Sequence, residues 1–215
     1  MKLFGFSNVS FKDKIVLDVG CGTGILSMFA AQAGAKTVIA VDCADIIEET
    51  KKIIQLNNFT SQIICIKGKI EEIELPNNIQ HVDIIISEWM GYFLLYESML
   101  DSVIYARNKW LNKENGLIFP NIAQIKVCAI EDDEYYHDKI TFWNNVYGFN
   151  YQHIKELALI EPLVDMCDPD QVKTNISTLF QFDIDTIELK SLDFKQAFTL
   201  IVNTDSTIHA LVGYF

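Results

Sequence analysis

The chain has 215 residues and a formal net charge of −12, and half of its residues are apolar, enough to bury a sizeable core. The acidity disfavours direct binding to nucleic acid and suits a basic partner, although acidic charge also serves solubility alone. No uncharged apolar run reaches the roughly 18 residues a membrane span needs, and the N-terminus carries no signal-like apolar segment, so no membrane association is expected and the cytoplasm and nucleus are the expected locations.

From Ile15 short apolar runs alternate with amphipathic stretches, which predicts a βαβ series and a parallel sheet. The expected elements are a strand over Ile15 to Val19, a helix over Gly24 to Ala33, a strand over Thr37 to Val41 and a helix from about Ala44 to Asn57. Strands at Ile63 to Ile66 and Val82 to Ser87, a helix from about Ser98 to Leu111 and a strand ending at Phe119 follow. Beyond Pro120 the character changes to longer antiparallel strands at Val127 to Ile130, Leu179 to Leu189, Phe198 to Val202 and His209 to Phe215. Between the first of these and the rest lies an aromatic-rich stretch, Tyr135 to Phe149, expected to be helical. The acidic run Glu131 to Glu134 reads as a helix start. A boundary near Pro120 therefore divides two expected domains, 1–120 and 121–215.

The first strand runs into Gly20, Cys21, Gly22, Thr23 and Gly24, where glycines let the backbone bend tightly and approach a ligand. The next strand ends in Asp42, 22 residues after Gly20, where a carboxylate can accept both hydroxyls of a ribose. Dinucleotide sites use G-x-G-x-x-G, whereas this turn is G-x-G-x-G and is preceded by Asp18, which better suits a cationic, phosphate-free adenosine cofactor such as S-adenosylmethionine. Glu71 follows the third strand and could accept the adenine amino group while the Ile70 backbone faces the ring; a solvated helix start is the plain alternative. For the glycine turn the plain alternative is an ordinary strand-to-helix connection.

The stretch Ile84 to Leu100 contains only two charges, Glu88 and Glu97, among Trp89, Met90, Tyr92, Phe93, Leu94, Leu95 and Tyr96. Two carboxylates in an apolar hairpin without Lys or Arg ask for an external cation. With Gly91 providing the turn, two facing carboxylates could hold a planar guanidinium through bidentate hydrogen bonds. Two surface acids in an ordinary loop are the alternative.

The combination VLDVGCGTGILSMFAAQAGA, SEWMGYFLLYESML and GLIFP is similar to type I protein arginine N-methyltransferases, from about Phe11 to Phe215. WNNVYGF and EPLVD resemble that family's dimerisation arm, about 135–172, and HALVGYF a strand of its β-barrel. The resemblance implies an α/β fold: a Rossmann-like doubly wound domain followed by a partial antiparallel β-barrel with an inserted helical arm. It implies that Asp18, Gly20, Gly22, Gly24, Asp42, Ile70 and Glu71 hold S-adenosylmethionine, with Asp42 standing where the family usually has Glu. It further implies that Glu88 and Glu97 are the catalytic pair and that Met99 limits the regiochemistry of the product. The activity implied is methyl transfer to arginine in basic, Arg/Gly-rich proteins and histone tails, giving mono- and asymmetric dimethylarginine, by a homodimer built through the arm.

Against the family pattern the chain reads as truncated at both ends, lacking the helices that cover the cofactor and a Thr-His-Trp loop. A fragment, a partial gene model and a natural short form are the explanations. The alternative function is a catalytically incomplete, cofactor-binding or dimerising regulatory module; methyl transfer to a small molecule or nucleic acid fits the glycine turn but not the paired glutamates. Five dispersed cysteines suggest reduced thiols, and His81, His137, His153 and His209 lack ligand spacing, so no metal is expected.

Overall fold

A computed structural model describes residues 10–215. The chain forms two compact units: one takes in the described chain up to Ala123 together with Phe182–Phe194, the other Gln124–Gln181 and Lys195–Phe215.

In the first unit a five-stranded sheet has the order β3-β2-β1-β4-β5, from β1 (Ile15–Val19), β2 (Thr37–Asp42), β3 (Ile63–Lys67), β4 (Ile84–Ile86) and β5 (Leu117–Phe119). Every pairing within it is parallel. β1, β2 and β4 are buried almost throughout, which is why they read as continuous apolar runs rather than alternating ones. Helices α1 (Ile25–Gln32), α2 (Ile46–Leu56) and α3 (Met99–Trp110) make the crossovers. The order runs outward from β1 to β3, then restarts at β4. Right-handed crossovers therefore put α1 and α2 on one face and α3 on the other, the Rossmann-like arrangement with its switch point between β1 and β4.

The strand expected over Leu179 to Leu189 instead runs Ser177–Asp183, and residues 182–194 belong to this first unit. Their anchor is Arg107 on α3, the chain's single arginine, whose guanidinium donates to the carbonyls of Ile184 and Ile187. Ile184 is fully buried, and a turn at Asp183 to Ile187 ends the strand.

In the second unit β6 (Ile122–Ile130) is the middle strand of a three-stranded sheet in the order β7-β6-β8, with β7 at Ser177–Asp183 and β8 at Ala210–Tyr214. β6 and β8 pair antiparallel. The expected strand at Phe198 to Val202 does not form; only a single bridge joins Val202 to Thr174. The aromatic stretch is a short helical turn, α4 (Asp133–Tyr135), capped by the Asp132 carboxylate, which accepts from the Tyr135 amide at 3.0 Å. It continues through a π turn at Tyr136–Ile140 and a 3-10 turn at Thr141–Asn144. Helix α5 (Gln152–Ile160) follows.

Candidate active site

The segments singled out from the sequence meet at one edge of the parallel sheet. Gly20 follows β1, Asp42 ends β2, Gly68 to Glu71 follows β3 and Ser87 to Glu97 follows β4. Register aligns Asp18 with Ile86 and Val19 with Val41, so these carboxyl-terminal ends lie side by side. In an open parallel sheet this edge, at the switch point, is where ligands bind.

The glycine turn is fixed by backbone bonds from Gly20 and Cys21 amides to the Val41 carbonyl, at 2.9 and 3.0 Å. Gly20, Gly22 and Gly24 all have positive φ, the left-handed region that favours glycine. A side chain on Gly20 would collide with Met99, whose Cε lies 2.1 Å from where a Cβ would stand. The structure thus brings the first residue of α3 onto the cofactor turn. Gly22, by contrast, faces open space.

Asp42 spends its carboxylate on the turn: one oxygen accepts from the Gly22 amide at 2.8 Å, the other from the Ala44 amide at 2.9 Å. Each oxygen has a further lone pair for a hydroxyl. Asp18 is fully buried; its Oδ2 accepts from the Ser27 hydroxyl at 2.6 Å, while its Oδ1 has no hydrogen-bond partner among the described residues. Burial pushes this carboxyl up from an ordinary 3.8 to about 7, against the lowering effect of the Ser27 bonds. An orphaned buried oxygen next to an open glycine turn fits a cationic ligand better than an anionic one.

Glu71 is exposed and already engaged, accepting from the Ser102 hydroxyl at 2.6 Å, with Tyr105 donating to its backbone carbonyl. Ile70 beside it is buried.

The hairpin after β4 differs from expectation in two respects. Gly91 stands at the base of the reversal and pairs with Leu94 through two 3.0 Å bonds, so Tyr92 and Phe93 form its tip; Phe93 and Leu94 are left-handed, with φ of 50° and 69°. Gly91 is needed instead for close approach, because a Cβ there would stand 1.9 Å from the Tyr96 carbonyl oxygen and 3.4 Å from Glu97 Cγ. Glu97 and Ser98 are also left-handed, so four non-glycine residues hold conformations costing on the order of 1 kcal/mol or more each. Such strain persists where a loop must aim particular side chains.

The second difference concerns Glu88 and Glu97 themselves. Both are exposed, so the argument from desolvated carboxylates does not apply to them in this chain. No cation among the described residues bridges to either. They stand as two free acids on a strained loop, flanked by Trp89, which is buried with its ring 6.4 Å from that of Phe182.

Sequence reasoning missed three buried hydroxyls that build the site. Ser27 holds Asp18, Ser87 donates to the Val19 carbonyl at 2.7 Å, and Thr50 on α2 donates to the Gly22 carbonyl. Their signal was a polar residue in an apolar phase: Thr50 shares the buried stripe of α2 with Ile47 and Ile54.

A parallel sheet with a glycine turn, a β2 carboxylate and a β4 hairpin defines a class of nucleoside-cofactor enzymes. The family model described as "Ribosomal protein L11 methyltransferase (PrmA)" matches residues 1–109, and "Arginine methyltransferase oligomerization subdomain" matches residues 121–215. Among similar proteins, Protein arginine N-methyltransferase 1 of Chlamydomonas reinhardtii is 55% identical over 205 residues, 95% of this chain and 59% of that protein. Protein arginine N-methyltransferase 8-B of Danio rerio is also 55% identical, across 95% of this chain and 48% of its own length. The solved Trypanosoma brucei PRMT1 enzyme-prozyme heterotetrameric complex with AdoHcy superposes with a TM-score of 0.87 at 47% identity, covering 94% of this chain and 63% of that one. Over 94–95% of its length the chain is thus strongly similar to protein arginine N-methyltransferases. It spans about half to three fifths of the length of these curated relatives.

Proposed function

We propose that this chain carries the methyl-transfer core of a protein arginine N-methyltransferase, acting with S-adenosylmethionine on arginine in basic, Arg/Gly-rich proteins and histone tails in the cytoplasm and nucleus. The observation that carries the reading is the pair Glu88 and Glu97, without an ion-pair partner among the described residues, on a strained loop at the same sheet edge as the glycine turn, with Met99 packed on Gly20. Asp18, Gly20, Gly22, Gly24, Asp42, Ile70 and Glu71 would hold the cofactor, which when bound supplies an electrophilic sulfonium methyl. In this role Asp42 keeps the turn in place while its free lone pairs take ribose hydroxyls.

A guanidinium is protonated and delocalised, and so a poor nucleophile. Glu88 and Glu97 would orient it through charge-assisted bonds and draw positive charge toward the nitrogens they touch, leaving the remaining terminal nitrogen richer in electrons. Positioning and fixed charge would supply most of the acceleration. Met99, held against the turn, would crowd the acceptor and limit the product to mono- and asymmetric dimethylarginine. In the second unit we read the three-stranded sheet as part of a β-barrel and residues 135–172 as the arm of a homodimer.

The alternative, a catalytically incomplete cofactor-binding or dimerising module, draws on one observation: Glu88 and Glu97 are solvated, where catalysis is better served by a dry site. Glu88→Gln separates the two. On the enzymatic reading it abolishes methylation of an Arg-Gly peptide, followed by mass, with cofactor affinity within about twofold of the parent, a change of under about 0.5 kcal/mol. Binding of the cofactor with no methylation by the parent chain would favour the module.

A further inference from the structure

Thr50 stands where the apolar face of α2 would ordinarily carry an aliphatic residue. It is fully buried, in phase with Ile47 and Ile54, yet its hydroxyl leaves the helix. A helical threonine commonly bonds back to the carbonyl four residues before it, and the Ile46 carbonyl is available at 3.0 Å. The Gly22 carbonyl is closer, and a hydroxyl carries one proton. The Thr50 methyl, for its part, packs where a Cβ on Gly24 would stand, 2.7 Å away.

Gly22 is therefore held through both of its peptide groups. Its amide donates to Asp42 at 2.8 Å and its carbonyl accepts from Thr50, while its Cα faces open space at φ +52°. A glycine with this freedom would otherwise sample many conformations, and the entropy lost in fixing its backbone is a cost that a ligand would have to supply on binding.

We propose that Thr50 is a positioning residue of the cofactor turn: its hydroxyl, opposite Asp42, locks Gly22 in the conformation that presents the open face of the turn to the cofactor. The inference rests on the cofactor reading given above. It assigns to α2 a part in cofactor affinity, and it explains a polar group at a fully buried helical position.

Thr50→Val keeps the shape and the methyl and removes the hydroxyl; Thr50→Ser keeps the hydroxyl and removes the methyl. S-adenosylhomocysteine affinity is measured by calorimetry for the parent and both variants, and exchange of the Gly22 and Thr23 amides by hydrogen–deuterium exchange without ligand. We expect Thr50→Val to weaken binding about tenfold and Thr50→Ser to stay within about twofold of the parent, the size of one hydrogen bond. Amide exchange should quicken in Thr50→Val alone. Equal affinity in Thr50→Val and the parent, or equal loss in both variants, would overturn the proposal. If the parent binds no S-adenosylhomocysteine, the cofactor reading fails by itself. Exchange then still tests the lock, and equal rates in all three proteins would contradict it.

Discussion

Burial keeps the Asp18 carboxyl protonated up to about pH 7, although it is an ordinary acid of pKa 3.8 when exposed. Between those values the folded chain holds a proton that the unfolded chain has released. The contribution of this group to stability is therefore full below pH 3.8, declines as pH rises and is gone above about 7. Asp18→Asn should remove that slope, so a comparison of urea midpoints from pH 4 to 8 should show the parent losing ground to the variant as pH rises. If a cationic cofactor pairs with the orphaned Oδ1, its binding strengthens as pH rises through about 7 and releases a proton. Calorimetry in two buffers of different ionisation enthalpy reads that proton directly; no release would detach Asp18 from the cofactor. Asp18, Gly20, Gly22, Gly24 and Asp42 were legible because backbone chemistry at a strand-to-helix turn is written in residue type. Ser27, Ser87 and Thr50 were not, because a hydroxyl leaves no trace of its partner until the chain is folded.

At the scale of elements, glycine positions test how α3 and the β4 hairpin are joined to the turn. Gly91→Ala sets a methyl against the Tyr96 backbone, which cannot give way as a side-chain end can. It should cost about 2 kcal/mol or more in stability by chemical denaturation. Gly20→Ala meets only the flexible end of Met99, so Met99→Ala should recover part of its loss, leaving the roughly 1 kcal/mol cost of a left-handed alanine. Additive losses in the double variant would show that the two residues are uncoupled. The strap at 182–194 offers a third case: Arg107→Ala removes both carbonyl bonds that one guanidinium nitrogen makes. It should cost about 2 kcal/mol and open the strap to proteolysis, and an unchanged digestion pattern would contradict the anchoring role. The parallel strands were readable as apolar runs, whereas a similar apolar run at Phe198 to Val202 is largely exposed and meets its neighbour only at the bridge between Thr174 and Val202, and beyond Asp183 the chain turns out of the strand. An apolar run is thus compatible with a strand, but only backbone partners make it one.

For the whole molecule, the acidic charge is compatible with the proposed basic peptide substrate. The stretch that resembles the arm leaves Tyr147 and Phe149 exposed, and Trp143 stacks on Tyr151 with ring centroids 6.3 Å apart. Changing Trp143, Tyr147 and Phe149 together to Ala should convert a dimer to a monomer in gel filtration, and an unaltered elution volume would remove the arm from the interface. Composition and charge suggested a basic partner but could not say whether the two glutamates face solvent, since exposure follows from loop conformation rather than residue type. The central claim is that the site directs a methyl group to a guanidinium, and it is tested most directly by offering this chain S-adenosylmethionine with two peptides that differ only in Arg against Lys. A mass gain of one or two methyl groups is expected on the Arg peptide alone. Methylation of the Lys peptide, or none of either despite cofactor binding, would contradict it.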